Sequence, residues 1–376
     1  MPGSRALVEV VRPTSVDEVS ELLRAAHRDG RTVMATGGGT KLSWAPPASV
    51  DVLIDTTGLD RVVEHTAGDL VAIAEAGVRL TTLQKQLASA GQWLALDPPE
   101  QEATLGGIVS ANASGPRRLR FGTVRDLLIG VTVVLADGTV AHAGGKVVKN
   151  VAGYDLGKLY TGAHGTLGVV VSTTWRLHPI APARRAVVLD LPDPLAAGPL
   201  AVAIARSTLT PTAVELHATI GGSGSLVVVF EAIEASVHAQ ADAAVILLGG
   251  GHQVEELPRT FGQRPGGSDD LVLRLAFAPA SLTAVLAALP TNTTVTASAC
   301  TGVLYAALPV GSAAALEALR AAILAYDGTA VVLSAPTGLA LDHWGPVGDS
   351  LELMRRVKHR FDPERRLAPG RFVGGI

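Results

Sequence analysis

The chain has 376 residues, 48% of them hydrophobic and 17% charged, with a net charge of −3 and a single cysteine, Cys300. That length suits two or three domains with a sizeable core, and the weak negative charge argues against a nucleic-acid binder. One cysteine builds neither a disulfide framework nor an iron–sulfur site, so Cys300 reads as a small buried hydrophobe. The opening "MPGSRALVEVVRPTS" lacks a signal-peptide core, and no apolar run reaches the length of a membrane span. A cytoplasmic protein is expected, attached to a membrane only through partners.

Along the chain, the first clear element is a helix over 12–30. Ser15 and Glu18 have capping-box spacing, Val16, Val19, Leu22, Leu23 and Ala26 form one apolar face, and Gly30 closes it. "RTVMATGGGT" reads as a short strand entering a glycine turn, "DVLIDTT" (51–57) as a second strand, and 61–77 as two strands around Ala-Gly-Asp. A helix follows at 81–90 with Thr81 as its cap. Residues 129–145 carry a hairpin signal, Asp137-Gly138 between alternating runs, and 167–180 is another strand.

After residue 182 the glycine-polar clusters thin out. The pattern becomes strand 186–191, helix 195–205, strands 212–219 and 225–231, helix 234–247, strand 252–257. It then runs again: strand 271–277, helix 280–288, strands 293–299 and 302–308, helix 312–325, strand 329–334. Each half is β-α-β-β-α-β, the split-βαβ arrangement, and together they predict one antiparallel sheet backed by helices. The expected division is therefore 1–182, 183–335 and a last segment, 336–376, containing a helix that stops at Asp362-Pro363.

The chemistry sits in three glycine stretches of the first part: "TGGGTK" (36–41), "TLGGIVSANASGPRRLRFGTVRD" (104–126) and "KVVKNVAGYDLGKLYTGAHGTLG" (146–168). Glycine lets the backbone adopt positive φ and brings successive N–H groups close to an anion. One such loop is an ordinary surface turn. Three in one domain, each joined to strand-like sequence, point to an extended ligand such as a dinucleotide. No metal site is expected, because the histidines are scattered without ligand spacing.

These stretches, with "FGTVRDLLIGVTVVLADGTV" and the ending "FDPERRLAPGRF", resemble the vanillyl-alcohol oxidase / p-cresol methylhydroxylase (PCMH) family of FAD enzymes. Within it, "KNVAGYD" and the short second domain resemble the glycolate oxidase E subunit. The resemblance implies an α+β fold: a two-subdomain PCMH-type FAD-binding domain followed by a small antiparallel-sheet cap domain. It implies that Gly37, Gly38, Gly39 and Thr40 wrap the FAD pyrophosphate. Thr104, Gly106, Gly107, Ser110, Asn112 and Gly115 would form a second loop near pyrophosphate and flavin, followed by Gly122, Arg125 and Asp126. Gly165, Thr166, Leu167, Gly168 and Val169 would hold the adenine and ribose end. Lys149, Asn150, Tyr154 and Asp155 fall on the flavin or substrate side, with Tyr154 and Lys149 the candidate catalytic residues. For Tyr154 the competing reading is a packing aromatic, and for Lys149 a structural ion pair with Asp155.

Two departures shape the expectation. Gly39 stands where some relatives link FAD through a histidine, so the FAD should be non-covalent. Nothing matches the His-x-His motif of hydroxyacid-oxidising relatives, and His343 in "LDHWGP" stands alone. The resemblance thus implies a subunit oxidising glycolate or a related 2-hydroxyacid by hydride transfer to FAD, with Arg125, Lys149 and Arg371 as candidate cations for its carboxylate. The partners it implies are a sister flavoprotein and an iron–sulfur subunit. Alternatives are a non-catalytic FAD-holding subunit, or a stand-alone alcohol or sugar oxidase.

Overall fold

The computed structural model describes residues 8–46, 49–146, 154–267, 269–309, 313–339 and 341–376. The chain divides into two compact units. One takes the residues up to Ser114, Thr123–Ile180 and those from Pro346 onward; the other takes Gly115–Gly122 and Ala181–Gly345. The fold is α+β, and each unit is built around its own sheets.

In the first unit, β1 (Glu9–Val11), β2 (Val33–Thr36) and β3 (Val52–Asp55) form a parallel sheet in the order β1-β3-β2. The helix Val16–Arg28 covers it, burying Val19, Leu23 and Ala26 against Val33, Val52 and Ile54. Its start is capped as expected on one side: the Ser15 hydroxyl accepts from the Glu18 N–H at 3.2 Å. The Glu18 carboxylate reaches one residue further back, to the Thr14 N–H at 2.7 Å.

A second subdomain follows. β4 (Val62–Thr66) and β5 (Val71–Glu75) form a hairpin, β6 (Gln92–Trp93) is short, β7 (Leu128–Val134) and β8 (Val140–Gly144) form another hairpin, and β9 (Val169–Arg176) leads into β10 (His178–Pro179). The five-stranded antiparallel sheet runs β4-β5-β9-β7-β8, and β10 pairs with β6. The Asp137-Gly138 turn closes β7 to β8 because Gly138 takes φ +83° and the Asp137 carboxylate accepts from the Thr139 N–H at 2.9 Å. The helix expected at 81–90 begins one residue earlier, at Leu80, with Arg79 before it and no side-chain cap, so Thr81 is not the capping residue.

The segment beyond 346 completes this unit. Its helix, Leu351–Phe361, precedes a stretch that pairs with β2: the Val33 N–H donates to Arg366 O and the Ala368 N–H to Val33 O, both at 2.8 Å. Lys358 fixes the turn. Its ammonium, 3% exposed, donates to Asp362 Oδ2 at 2.6 Å, to Leu367 O at 2.9 Å and to Thr166 O at 2.8 Å.

The second unit carries one eight-stranded antiparallel sheet. Its strands are β11 (Ala183–Leu191), β12 (Ala213–Thr219), β13 (Gly224–Ala232), β14 (His252–Val254), β15 (Leu271–Ala276), β16 (Thr294–Ser298), β17 (Val303–Leu308) and β18 (Thr329–Ser334). The order is β14-β11-β13-β12-β16-β17-β15-β18. Each half repeats the same local order, and the halves join edge to edge where β12 pairs with β16. Four helices, Ala197–Arg206, Glu234–Leu248, Leu282–Ala287 and Ala313–Leu324, back one face. Alternate strand residues such as Leu216, Phe230, Leu273, Ala297 and Leu304 enter that core, as the period of two requires.

Candidate functional site

In the first unit a groove is lined by three loops and one arginine. The loops contribute Gly37, Gly38, Gly39, Thr40 and Lys41; Thr104, Gly106, Gly107 and Ser110; and His164, Gly165, Gly168 and Val169, with Arg371 beside them. The close fit explains the bare backbone. A Cβ on Gly37 would overlap the Thr104 hydroxyl, and one on Gly38 would overlap the Glu102 carbonyl oxygen. Gly165 sits at φ +77°, which a side chain rarely tolerates. Thr104 starts the helix Leu105–Ala111, its hydroxyl accepting from the Gly107 N–H at 3.4 Å.

Electrostatics favour an anion here. Arg371 is 5% exposed, donates to Leu42 O at 3.0 Å and Pro46 O at 3.1 Å, and has no carboxylate partner among the described residues. Burial pulls its guanidinium below the usual range. Lys41 lies over the Trp44 ring and pairs with Glu100 at 3.2 Å. Close by in sequence, Asn112 takes φ +48° and its buried Oδ1 has no hydrogen-bond partner among the described residues. A cradle that a Cβ at Gly37, Gly38 or Gly106 would fill, a buried arginine without a carboxylate partner among the described residues and an orphaned amide oxygen fit a dinucleotide with its diphosphate.

The sequence-predicted residues do not all converge. Gly37 to Thr40, Thr104, Gly106, Gly107, Ser110, Gly165, Gly168 and Val169 share the groove. Arg125, Thr166 and Leu167 line a separate, largely apolar pocket with Leu353, Met354 and Phe372. Asp126 closes a capping box with Thr123, at 2.8 and 3.0 Å. Gly115 and Gly122 bound the short segment that belongs to the second unit. Tyr154 is 93% exposed and is absent from the groove lining. Asp155 pairs with Lys158 at 3.2 Å and starts the helix Leu156–Tyr160. Lys149 and Asn150 lie outside the described residues. Lys41, Thr56 and His164 also line the groove and were not anticipated; Lys41 alone had a signal, as the cation closing "TGGGTK".

Comparison with known proteins decides what the groove serves. Residues 9–144 match the FAD binding domain family. That match takes in the first two loops of the groove. Gly39 offers no side chain for a covalent link, in keeping with non-covalent FAD. The chain is 38% identical over 186 residues to a D-lactate dehydrogenase of Archaeoglobus fulgidus, covering 49% of this chain and 41% of that protein. It is 35% identical over 161 residues to glycolate oxidase subunit GlcE of Escherichia coli, covering 42% and 46% respectively. It is 33% identical over 172 residues to glycolate oxidase subunit GlcD of Bacillus subtilis, covering 45% and 37%. The chain thus spans less than half the length of these curated relatives. Among solved structures, an alkyldihydroxyacetonephosphate synthase superposes with a TM-score of 0.70 at 17% identity, over 96% of this chain and 77% of that one, which shows the shared fold.

Opposite its helices, the sheet of the second unit carries a small apolar cluster, with Ala186, Val188, Ala213, Val227 and Val229, and also polar side chains. The Glu215 carboxylate, 3% exposed, accepts from the Gly262 N–H at 2.7 Å and lies 2.8 Å from His217 Nε2. His217 Nδ1 is 3.3 Å from Thr296 Oγ1. Arg117 forks onto Glu231 at 2.7 and 2.9 Å. Tyr305 receives the Arg118 guanidinium at 3.4 Å, has Arg264 5.0 Å from its ring centre, and stands opposite Arg274 in the strand register. Burial pushes the Tyr305 phenol up, but the charges of Arg118, Arg264 and Arg274 and the Arg118 hydrogen bond outweigh it and bring the pKa down to about 8. By contrast, burial pushes Tyr160 up to about 12.

This makes a pH prediction. A phenol depressed in the folded state adds stability that is fully present above its unfolded pKa of 10.0 and is lost as pH falls through about 8. One of the four tyrosines should therefore show its phenolate absorbance rising near pH 8, and Tyr305→Phe should lack that step. The stability gap between the two proteins should widen between pH 8 and 10 by on the order of 2 kcal/mol. A first phenolate step only above pH 10 would contradict it.

Among the described residues no group of three or more His, Cys, Asp or Glu could hold a metal ion, and no helix is long and apolar enough to cross a membrane. His343 lies in the second unit, where its carbonyl accepts from the Val332 N–H at 2.8 Å. Cys300 is partly buried, with its thiol pushed up to about 11 by burial, which makes it a poor nucleophile.

Proposed function

We propose that this chain is an FAD-dependent oxidoreductase subunit that oxidises glycolate, D-lactate or a related small 2-hydroxyacid. The observation that carries the reading is the glycine-walled groove of an FAD-binding domain with Arg371 buried beside it. The stretches shared with a D-lactate dehydrogenase and with two glycolate oxidase subunits support the substrate class. FAD, when bound, supplies a two-electron acceptor for the substrate's α-carbon hydride. The chain's own residues bind and orient. Gly37, Gly38 and Gly39 let backbone N–H groups approach a diphosphate, and Arg371 supplies its charge. Thr104 and Ser110 offer hydroxyls along the same wall. These 376 residues hold a single cysteine, Cys300, and so no cysteine-ligated iron–sulfur centre of their own; an iron–sulfur subunit and a sister flavoprotein are the proposed partners that take the electrons onward.

The test is the anaerobic visible spectrum of the purified chain before and after adding glycolate and then D-lactate. The flavin band is expected to bleach with at least one acid. A flavin band that neither acid bleaches would replace this reading with that of an FAD-holding subunit whose partner does the chemistry. A chain that takes up no FAD would overturn both.

A further inference from the structure

A separate cavity of the first unit shares a loop with the groove. Its volume is about 270 Å³. Leu159, Ala163 and Leu167 form one wall, Met354 and Val357 of the helix Leu351–Phe361 form another, and Phe372 adds a ring. All of these residues belong to the same unit. The two threonines on the wall are satisfied within their own stretch of chain. The Thr166 hydroxyl donates to Ala163 O at 2.7 Å and the Thr161 hydroxyl to Gly157 O at 2.8 Å. The lining therefore offers hydrocarbon rather than spare hydrogen bonds.

Its charge is one-sided. Arg125 and Lys158 line the cavity, and among the described residues no acidic side chain does. Lys158 meets Asp155 in an exposed pair at 3.2 Å. Arg125 is exposed and has no carboxylate within ion-pair distance among the described residues. Apolar walls suit a hydrocarbon body, and a cation beside them suits a negative head. The planar donors of arginine match the two oxygens of a carboxylate. Small-molecule sites usually measure about 300–1,000 Å³, so this cavity takes a compact occupant. Glycolate and D-lactate have no tail to fill it, so the site stands apart from the hydroxyacid reading above.

The loop over 162–168 is the partition between the two spaces. His164, Gly165 and Gly168 face the groove, while Gly162, Ala163, Thr166 and Leu167 face the cavity. Gly162, His164 and Gly165 all take positive φ, at +79°, +51° and +77°, so this loop holds an unusual backbone shape. Lys358 ties it to the cavity's other wall through Thr166 O. A ligand packed behind the loop holds that shape for the cofactor in front.

We propose that this cavity binds a small monocarboxylate with an apolar tail, its head at Arg125 and its tail between Leu167 and Met354, and that occupancy there tightens FAD binding. Linkage makes the effect mutual, so FAD tightens the carboxylate by the same factor.

The experiment is calorimetric titration of the flavin-containing chain with hexanoate, 1-hexanol and acetate. Hexanoate should bind saturably. Hexanol lacks the charge and should bind about tenfold more weakly. Acetate lacks four methylene groups and should bind weaker by at least about tenfold. Arg125→Gln should weaken hexanoate about tenfold and leave hexanol unchanged, a pattern that general loosening of the fold would not give. Met354→Trp should fill the cavity and abolish binding, and Arg125→Gln, at an exposed position, carries the test should that variant not fold. Free-flavin fluorescence on dilution reads the coupling: hexanoate should lower FAD release about fivefold. No saturable hexanoate binding, equal binding of hexanol, or indifference to Arg125→Gln would overturn the site. Binding with unchanged FAD release would overturn the coupling and leave the site. Bleaching of the flavin by glycolate or D-lactate bears on the hydroxyacid reading alone, so the two can fail separately.

Discussion

Gly38→Ala should leave the purified chain nearly colourless and lower its melting temperature. The added Cβ meets the Glu102 carbonyl oxygen, which is backbone and cannot swing aside. The 37–39 turn and the 102–104 approach to the helix Leu105–Ala111 must then separate. Overpacking of this kind costs about 1–3 kcal/mol. The same displacement opens the wall of the FAD groove, so affinity for FAD should fall by at least about tenfold, equivalent to ~1.4 kcal/mol. Gly68→Ala is the matched control. Its Cβ meets nothing within 4 Å, so flavin content and melting temperature should stay within error of the parent. Flavin absorbance per mole of protein and a thermal scan read both effects, and a fully yellow, equally stable Gly38→Ala protein would refute the argument.

The second large effect is expected at Lys358. Replacing it by Met removes the only ammonium that Asp362 meets among the described residues and leaves that carboxylate, 0% exposed, with two backbone donors, the N–H groups of Arg366 at 2.9 Å and Leu367 at 2.8 Å. Breaking one side of a buried ion pair costs about 3–5 kcal/mol. The Thr166 and Leu367 carbonyls lose a donor as well. Removing both partners, Lys358→Met with Asp362→Leu, should not restore stability, because the two backbone N–H groups are then left unmet. Urea unfolding measures this, and a loss below about 1 kcal/mol would mean that Lys358 is a bystander.

The glycine loops were legible because their chemistry is local. Gly37 to Thr40 and Thr104 to Ser110 each place small residues and hydroxyls within a few positions, and both reach the same groove. The strand-helix order of the second unit was legible for a similar reason, since its alternation of apolar residues follows the sheet period. The polar side chains opposite its helices were not. His217, Thr296, Tyr305 and Arg274 come from four separate strands, and each looks in its own segment like a stray polar residue in an apolar run, as in "LVLRLA" and "VLYAAL". Only the strand order, with β15 lying outside β17, brings them into one line. Tyr154 shows the reverse failure: a conspicuous aromatic beside glycines, which the fold leaves in solvent. A buried cation such as Arg371 sits between these cases, visible by type but not by burial.

The pairing of Val33 with the 366–368 stretch has a consequence for biosynthesis. Translation delivers residues 181–345, a self-contained sheet with its helices, before it delivers the segment that closes β2 and supplies Arg371. Domains tend to fold as units as they emerge. The later domain in sequence can therefore mature on the ribosome first, while the earlier one waits, unsealed, for residues made after it. Cofactor loading is then a late event in the life of the chain, and a message truncated just before residue 346 would yield a folded second unit beside a flavin domain unable to finish.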